Sequence, residues 1–451
     1  MSFYIRYVIE NEEPVRIADD SSSQMGQTSS LDYIPGSSIR GYVITRLAGE
    51  SDFDRMKTGL FSESVHFLNA YPVSNDCCLI PSPKGFYENK YNQTGESSGF
   101  VENVVVNGDF SDGMKRASLG SFCCIKDGTI QYYSVRKGSD LRIKINLKQD
   151  EKRNVFRNEY ISPGQTFEGY ISADNKEIID RIMSAFEKTI RIGNARTTGL
   201  GKCRIIDIQS VEQPAFTRYL PGHDLKQEAY LYLLSNTVMR SESGEYCGLN
   251  LLELQRKLGV ENLRILYNAA SAITVRGFNR NWGTKIPSVT MYEKGSVFHI
   301  GFDGILTVDS MRSICADGIG VRKNEGFGQI LFLDCYDSIK KKQKGQITDN
   351  ILSCDTQSLS DDDRRSVRTA ARNYYRNYLE RLMDSYIVSH PLRKSISSSE
   401  IGKYVSMISS TKGDPEKTLR IFGSYFSHAI EKEESNRKQG YKKSYKDIRN
   451  G

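Results

Sequence analysis

No run of 18 apolar residues occurs anywhere in the 451-residue chain, and its mean hydropathy is −0.49. A membrane-spanning helix is thereby excluded. Met1-Ser2-Phe3-Tyr4-Ile5-Arg6 has no basic stretch followed by an apolar one, so no cleaved leader is expected. None of the nine cysteines stands in a C-x2-C pair, and no zinc spacing is recognisable. Their odd number suggests reduced thiols and a cytoplasmic protein. Histidine occurs only five times, which leaves few candidates for a general base. Neither sign of charge dominates: 62 Lys+Arg against 55 Asp+Glu give +7. The excess lies from Tyr336 onward, where 23 basic residues face 15 acidic ones. The body is therefore no general polyanion binder, and nucleic acid would have to be held by local basic loops. Against these absences, 38% apolar residues are enough to build cores, and the length suggests two or three domains.

Alternation predicts a first strand over Phe3–Ile9. Pro35-Gly36 marks a turn, and Ser37 or Ser38 can cap a helix running to Ala48. The Gly-, Asn- and Ser-rich stretch Gly85–Gly120 reads as an insertion. Strands are expected at Thr129–Val135, Leu141–Leu147, Thr166–Ser172 and Cys203–Ile208. The stripe Ile178, Ile179, Ile182, Met183, Phe186 predicts an amphipathic helix. Further on, Glu228–Met239 is strand-like and Leu251–Leu258 helical. Glu293-Lys294-Gly295 reads as a hairpin turn between Ser288–Tyr292 and Ser296–Phe302. Lys340-Lys341-Lys342 looks like a linker. Beyond it, Ser360 is expected to cap a long helix, with further helices at Ser399–Ile408 and Pro415–Ile430.

One spacing occurs twice. Gly193-Asn194-Ala195-Arg196-Thr197-Thr198-Gly199-Leu200-Gly201 and Gly320-Val321-Arg322-Lys323-Asn324-Glu325-Gly326-Phe327-Gly328 are both G-x5-G-x-G. Each carries Arg and runs into a predicted strand, which points to internal repetition. Glycines admit φ > 0 and close backbone approach. Successive amides form an anion nest, and Arg adds charge-assisted phosphate contacts. Walker and dinucleotide loops both open a helix, so neither fits. The plain alternative is a pair of tight structural turns.

At these residues a family becomes visible. Ile34-Pro35-Gly36-Ser37-Ser38-Ile39-Arg40-Gly41 resembles a segment of CRISPR-associated RAMP proteins. The Gly193–Gly201 loop and Asn324-Glu325-Gly326-Phe327-Gly328 resemble their two glycine-rich loops. Val65-His66-Phe67-Leu68-Asn69-Ala70-Tyr71-Pro72 is similar to the large type III-D subunit. The resemblance covers about residues 1–335. It implies an α+β fold of two tandem ferredoxin-like (RRM-like) domains. The first would span 1–213 with an insertion near 85–150, and the second 214–335. A basic helical extension, 336–451, lies outside the motifs.

The implied role is a non-catalytic subunit that binds the 5′ repeat-derived tag of CRISPR RNA. It would sit in a type III effector complex in antiviral defence, beside the large signature subunit and the backbone RAMP subunits. The implied RNA contacts are Ser37, Ser38, Arg40, Arg191, Gly193, Asn194, Arg196, Thr197, Thr198, Gly199 and Gly201, then Arg322, Lys323, Asn324, Gly326 and Gly328. Arg276, Asn279, Arg280 and Trp282 form a second cluster where basic and aromatic residues interleave. No metal, cofactor or membrane partner is expected. An alternative is a RAMP-type ribonuclease using Asp19, Asp20 or Asp32, and another is a protein-only scaffold. His66 and His299 lie in apolar, strand-like surroundings that suit a structural role. His223 follows a Pro-Gly turn, and no His lies near the glycine loops.

Overall fold

The computed structural model describes residues 3–345 apart from 20–26, 52, 75–76, 91–98, 108–112, 146–152, 195, 197–198, 280–282 and 335. Farther on it describes 398–410, 415–437 and a few positions between 365 and 375. It divides into two compact units, Met1–Leu352 and Ser353–Gly451. The fold is mixed α+β.

Strand Phe3–Asn11 is the hub of the first sheet. Its alternation sends Ile5, Tyr7 and Ile9, all 0% exposed, to one face. There they meet Ile39, Val43 and Leu47 of the helix Gly36–Leu47, and Ile179 and Ile182 of the helix Lys176–Ser184. The strand pairs antiparallel with Thr166–Ala173 on one side and Lys202–Val211 on the other. His66–Phe67 and Tyr71–Ser74 pair with Thr166–Ala173 beyond that. In chain order the sheet therefore runs fourth, first, third, second.

The second sheet repeats this order. Ile330–Phe332 pairs with Leu225–Leu233, which pairs with Val297–Leu306, which pairs with Glu261–Ala269, all antiparallel. The helix Leu251–Leu258 follows the first of these strands in the chain, and Val308–Asp317 follows the third. Each helix is capped by a side chain: Asn250 accepts from the Glu253 amide, and Thr307 from the Ser310 amide.

Three expectations are corrected. Glu293–Gly295 is not a hairpin turn: Thr284–Tyr292 pairs back onto Ala272–Asn279, while Val297–Leu306 enters the second sheet. Gly295 makes the crossover at φ +82, where a Cβ would lie 2.4 Å from the Ser82 carbonyl oxygen. Lys340–Lys342 is not a linker, because Lys341–Lys344 is a strand parallel to Thr129–Tyr133. Helix Gly36–Leu47 begins at Gly36 and takes no cap from Ser37 or Ser38.

The stretch Gly85–Gly120 builds a three-stranded sheet from Phe86–Asn89, Glu102–Asn103 and Met114–Arg116. Phe86 and Phe122 of the insertion share one core with Tyr232 and Phe298 of the second sheet. Cys124 is disulfide-bonded, contrary to the expectation of nine reduced thiols. Burial pushes the free thiols of Cys78 and Cys203 up to about 12, so neither is a thiolate at neutral pH. The helix expected from Ser360 falls largely outside the described residues. In the C-terminal unit, Ser398–Ser410 and Pro415–Arg437 are helices. Among the described residues no helix is long and apolar enough to cross a membrane.

Candidate nucleic-acid interface

The two glycine segments share one hydrogen-bond frame. Ile192 N–H donates to Gly201 O at 2.9 Å, and Ile319 N–H to Gly328 O at 2.8 Å. Gly201 N–H donates to Pro14 O, and Gly328 N–H to Asn236 O, at 2.9 and 3.0 Å. Asn194 N–H donates to Arg16 O, and Val321 N–H to Val238 O, at 2.7 and 3.1 Å. The glycines at the base of each loop are required by sterics. A Cβ on Gly201 would lie 2.1 Å from Ile192 O, and one on Gly328 1.9 Å from Ile319 O. Both residues also have positive φ, +88 and +73. The repetition read from the spacing is thus a repetition of three-dimensional bonding.

The loops differ in what surrounds them. Asn194, Arg196 and Gly199 are exposed, and a Cβ on Gly199 would meet nothing within 4 Å. Thr197 and Thr198 lie outside the described residues. Arg191, on strand Thr189–Arg191, is ion-paired to Glu13 at 2.9 Å and reaches back to the carbonyls of Arg196 and Leu200. It braces the loop from behind.

The second loop instead packs against the first half of the unit. Asn69 is the joint. Its Oδ1 accepts Gly36 N–H at 3.0 Å, which caps the Gly36–Leu47 helix from outside. Its Nδ2 donates to Gly326 O at 3.1 Å. Gly36 leaves no room for a side chain, since a Cβ would stand 1.7 Å from Phe67 O and 3.2 Å from Glu325 O. The structure therefore gathers Ser37, Ser38 and Arg40 against Arg322, Lys323 and Asn324. Ser37 is exposed, and the others are partly buried.

The charges here are largely spoken for. Arg322, at φ +60, pairs with Glu325 at 2.5 Å and lies 4.5 Å from the Phe327 ring centroid. Lys323 pairs with Asp317 at 2.6 Å. Burial pushes the Arg40 guanidinium down, with Glu325 opposing, and Arg40 lies 5.3 Å from the Phe61 ring centroid. Asn69 was not singled out from the sequence. Its signal was its place inside the Val65–Pro72 phrase.

Of the second cluster, Arg276 is exposed on strand Ala272–Asn279, which Asn279 ends. Arg280 and Trp282 lie outside the described residues.

Asp32, His66, His299 and His223 each have a partner. Asp32 is mostly buried, 3.5 Å from the Lys294 ammonium. Burial alone would raise its carboxyl pKa, but Lys294 and the Ser121 hydroxyl outweigh that and hold it below the usual carboxylate range. Asp19 ends a short strand, and Asp20 is outside the described residues. His66 is buried and donates from Nε2 to Glu63 O at 2.7 Å; burial, with Lys323, lowers its pKa. His299 lies 3.0 Å from Glu228, and His223 3.8 Å from Asp334. Among the described residues no group of three His, Cys, Asp or Glu could hold a metal ion.

Residues 9–204 match the family model of the RAMP superfamily. No curated protein matches. Among solved structures, a chain of a type III-B Cmr-beta complex bound to cognate target RNA is 14% identical. That match covers 47% of this chain and 61% of the other, with a TM-score of 0.29. A chain of a Csm3–Csm4 subcomplex from a type III-A interference complex is 11% identical, over 67% and 94%, with a TM-score of 0.32. Thermus thermophilus Cas6 is 9% identical, over 74% and 98%, with a TM-score of 0.33.

Proposed function

From a chain whose residues 9–204 match the family model of the RAMP superfamily, we propose a non-catalytic RNA-binding subunit of a type III CRISPR effector complex. It holds the 5′ repeat-derived tag of CRISPR RNA and docks the large signature subunit. One observation carries this reading: the G-x5-G-x-G frame is built twice, and the first copy presents Asn194, Arg196 and Gly199 to solvent. Such a crown offers amides and a guanidinium to a phosphate backbone. The shared strand order supports two tandem ferredoxin-like domains, 1–213 and 214–335. The ion pair of Asp32 with Lys294 and the burial of His66 favour binding over cleavage.

The division of labour is asymmetric. The first loop meets RNA. The second loop, welded by Asn69 to the Pro35-Gly36-Ser37-Ser38 turn, holds the helix start in place.

The test is titration of the full chain against end-labelled CRISPR RNA with its tag or a scrambled tag, at two salt concentrations, with and without Mg2+. Tag-selective binding that weakens with salt is expected, with the RNA intact. Arg196→Ala should weaken it roughly tenfold or more, the worth of a charge-assisted contact, and leave the melting temperature unchanged. Arg191→Ala should lower both, because Arg191 holds the loop. Binding indifferent to salt and to Arg196→Ala would refute the reading, and Mg2+-dependent cleavage would replace it with a ribonuclease.

A further inference from the structure

The second sheet has a face that is only half covered. By alternation Tyr230 and Glu228 of Leu225–Leu233 lie on it with His299 of Val297–Leu306, and Tyr267 of Glu261–Ala269 registers beside His299. The Tyr230 and Tyr267 rings flank the His299 ring, with centroids 4.7 and 6.5 Å away. One end of this row is closed, because the buried Tyr336 ring lies 5.1 Å from that of Tyr230. The other end is open. Tyr267, on the outer strand of the sheet, is 51% exposed, and Ile305, farther along the same face, is 52% exposed. A tyrosine that ends a ring stack and still faces solvent is a ready anchor for a partner.

The charges around the row are unbalanced. Glu228, Glu261, Asp303 and Asp337 are exposed here, against Lys226 and Arg264. Arg264 lies 3.8 Å from Asp303 and accounts for it. Glu228 has the His299 imidazole at 3.0 Å, a partner without a permanent charge. Burial, then Asp337 and Glu228, push the Tyr230 hydroxyl up, so both carboxylates stand within electrostatic reach of the row. Such a field repels a phosphate backbone and attracts cations. It also disfavours a second copy of the same face, since two-fold pairing would set carboxylates against carboxylates. A tyrosine among carboxylates is complementary to arginine, which stacks on the ring and pairs with the acids.

We propose that this face docks a basic, arginine-bearing segment of a partner protein, with Tyr267 and Ile305 as its apolar anchors and Glu228 and Asp337 as its charge contacts. The face is separate from both glycine loops, and the inference stands whether or not they hold RNA.

Fluorescence anisotropy of the full chain with a labelled Arg-Ser-Leu repeat peptide, its Glu-Ser-Leu counterpart and oligo(U) tests the face. The arginine peptide should bind at physiological salt, and the glutamate peptide should not. Tyr267→Ala should weaken binding about tenfold or more, as truncation of an interface tyrosine does. Glu228→Gln combined with Asp337→Asn should weaken it several-fold. That pair should leave the melting temperature unchanged, because both carboxylates are exposed. Glu177→Gln combined with Asp180→Asn removes the same charge from the helix Lys176–Ser184 and should leave binding unchanged. The proposal is overturned if the arginine peptide does not bind. It is also overturned if the helix pair costs as much as the pair on the face, because net charge alone would then explain the binding. Oligo(U) binding that is lost with Tyr267→Ala would overturn it as well and make the face a nucleic-acid platform. A chain that loses RNA with Arg196→Ala but keeps the peptide with Tyr267→Ala would retain the loop reading and remove this one.

Discussion

Replacing Asn69 by alanine tests the joint between the halves of the first unit. The side chain satisfies two main-chain groups, the Gly36 N–H at 3.0 Å and the Gly326 carbonyl at 3.1 Å. Its Nδ2 also lies 3.4 Å from the Tyr71 hydroxyl, which in turn donates to Leu234 O. Gly36 and Gly326 are both buried, so water does not readily replace the amide. Each orphaned group costs about 1–3 kcal/mol. The truncation should therefore cost about 2–6 kcal/mol, more than an ordinary surface substitution removes. Urea denaturation of the full chain, followed by near-ultraviolet dichroism, measures it. Asn69→Asp keeps an acceptor for Gly36 N–H but sets a second oxygen against the Gly326 carbonyl, so it should fall between wild type and Asn69→Ala. RNA affinity should follow the same ranking, because Ser37, Ser38 and Arg40 lose their fixed helix start. If Asn69→Ala lies within about 0.5 kcal/mol of wild type, the joint is not where the halves are held.

The glycines should separate by their surroundings. Gly199→Ala should cost only the left-handed backbone penalty, about 1–2 kcal/mol, because its Cβ meets open space. Gly201→Ala and Gly328→Ala should cost more and resemble each other, since each Cβ strikes a carbonyl its own loop closes on. Equal melting temperatures for Gly199→Ala and Gly201→Ala would contradict the steric account. The third prediction concerns pH. The pKa of His66 is lowered by burial, so the unfolded chain binds more protons in the window just below its ordinary value. Stability contributed by neutral His66 should be complete above about pH 6.5 and be lost as pH falls toward the lower, folded value. His66→Gln should flatten that part of the stability profile, and an unchanged slope would show that another group titrates there.

What was legible in the sequence was what neighbours in the chain decide. The alternation of Ile5, Tyr7 and Ile9 read as a strand because its period is local, and Ile179 and Ile182 read as a helix for the same reason. Most of the misread elements have distant partners. Thr284–Tyr292 pairs with the strand before it, and Val297–Leu306 with one laid down much earlier. No turn signal at Glu293–Gly295 distinguishes those outcomes. Three lysines look like solvated linker until Thr129–Tyr133 lies alongside them. Ser37 and Ser38 looked like caps, but the Gly36 amide is taken by Asn69, 33 residues on.

The site shows the same division in a form that bears on function. The repeated glycine spacing predicted a repeated loop, and the bonding is repeated. Yet Gly193, Gly201, Gly320 and Gly328 are each accounted for by a carbonyl too close for a Cβ. Those glycines are explained by the frame and carry no information about a ligand. Only residues that the frame does not use can report one. In the second loop Arg322 and Lys323 are taken by Glu325 and Asp317. In the first loop Arg191 is taken by Glu13. Among the described residues of the first loop, the Asn194 side chain, Arg196 and Gly199 remain: Arg196 an exposed cation, Gly199 a left-handed glycine with open space where its side chain would be. A turn needing only its own geometry would tolerate a side chain at position 199 at modest cost, whereas a backbone approached by a phosphate would not. The ligand question for the two loops thus comes down to whether Gly199→Ala costs RNA affinity beyond what it costs in stability.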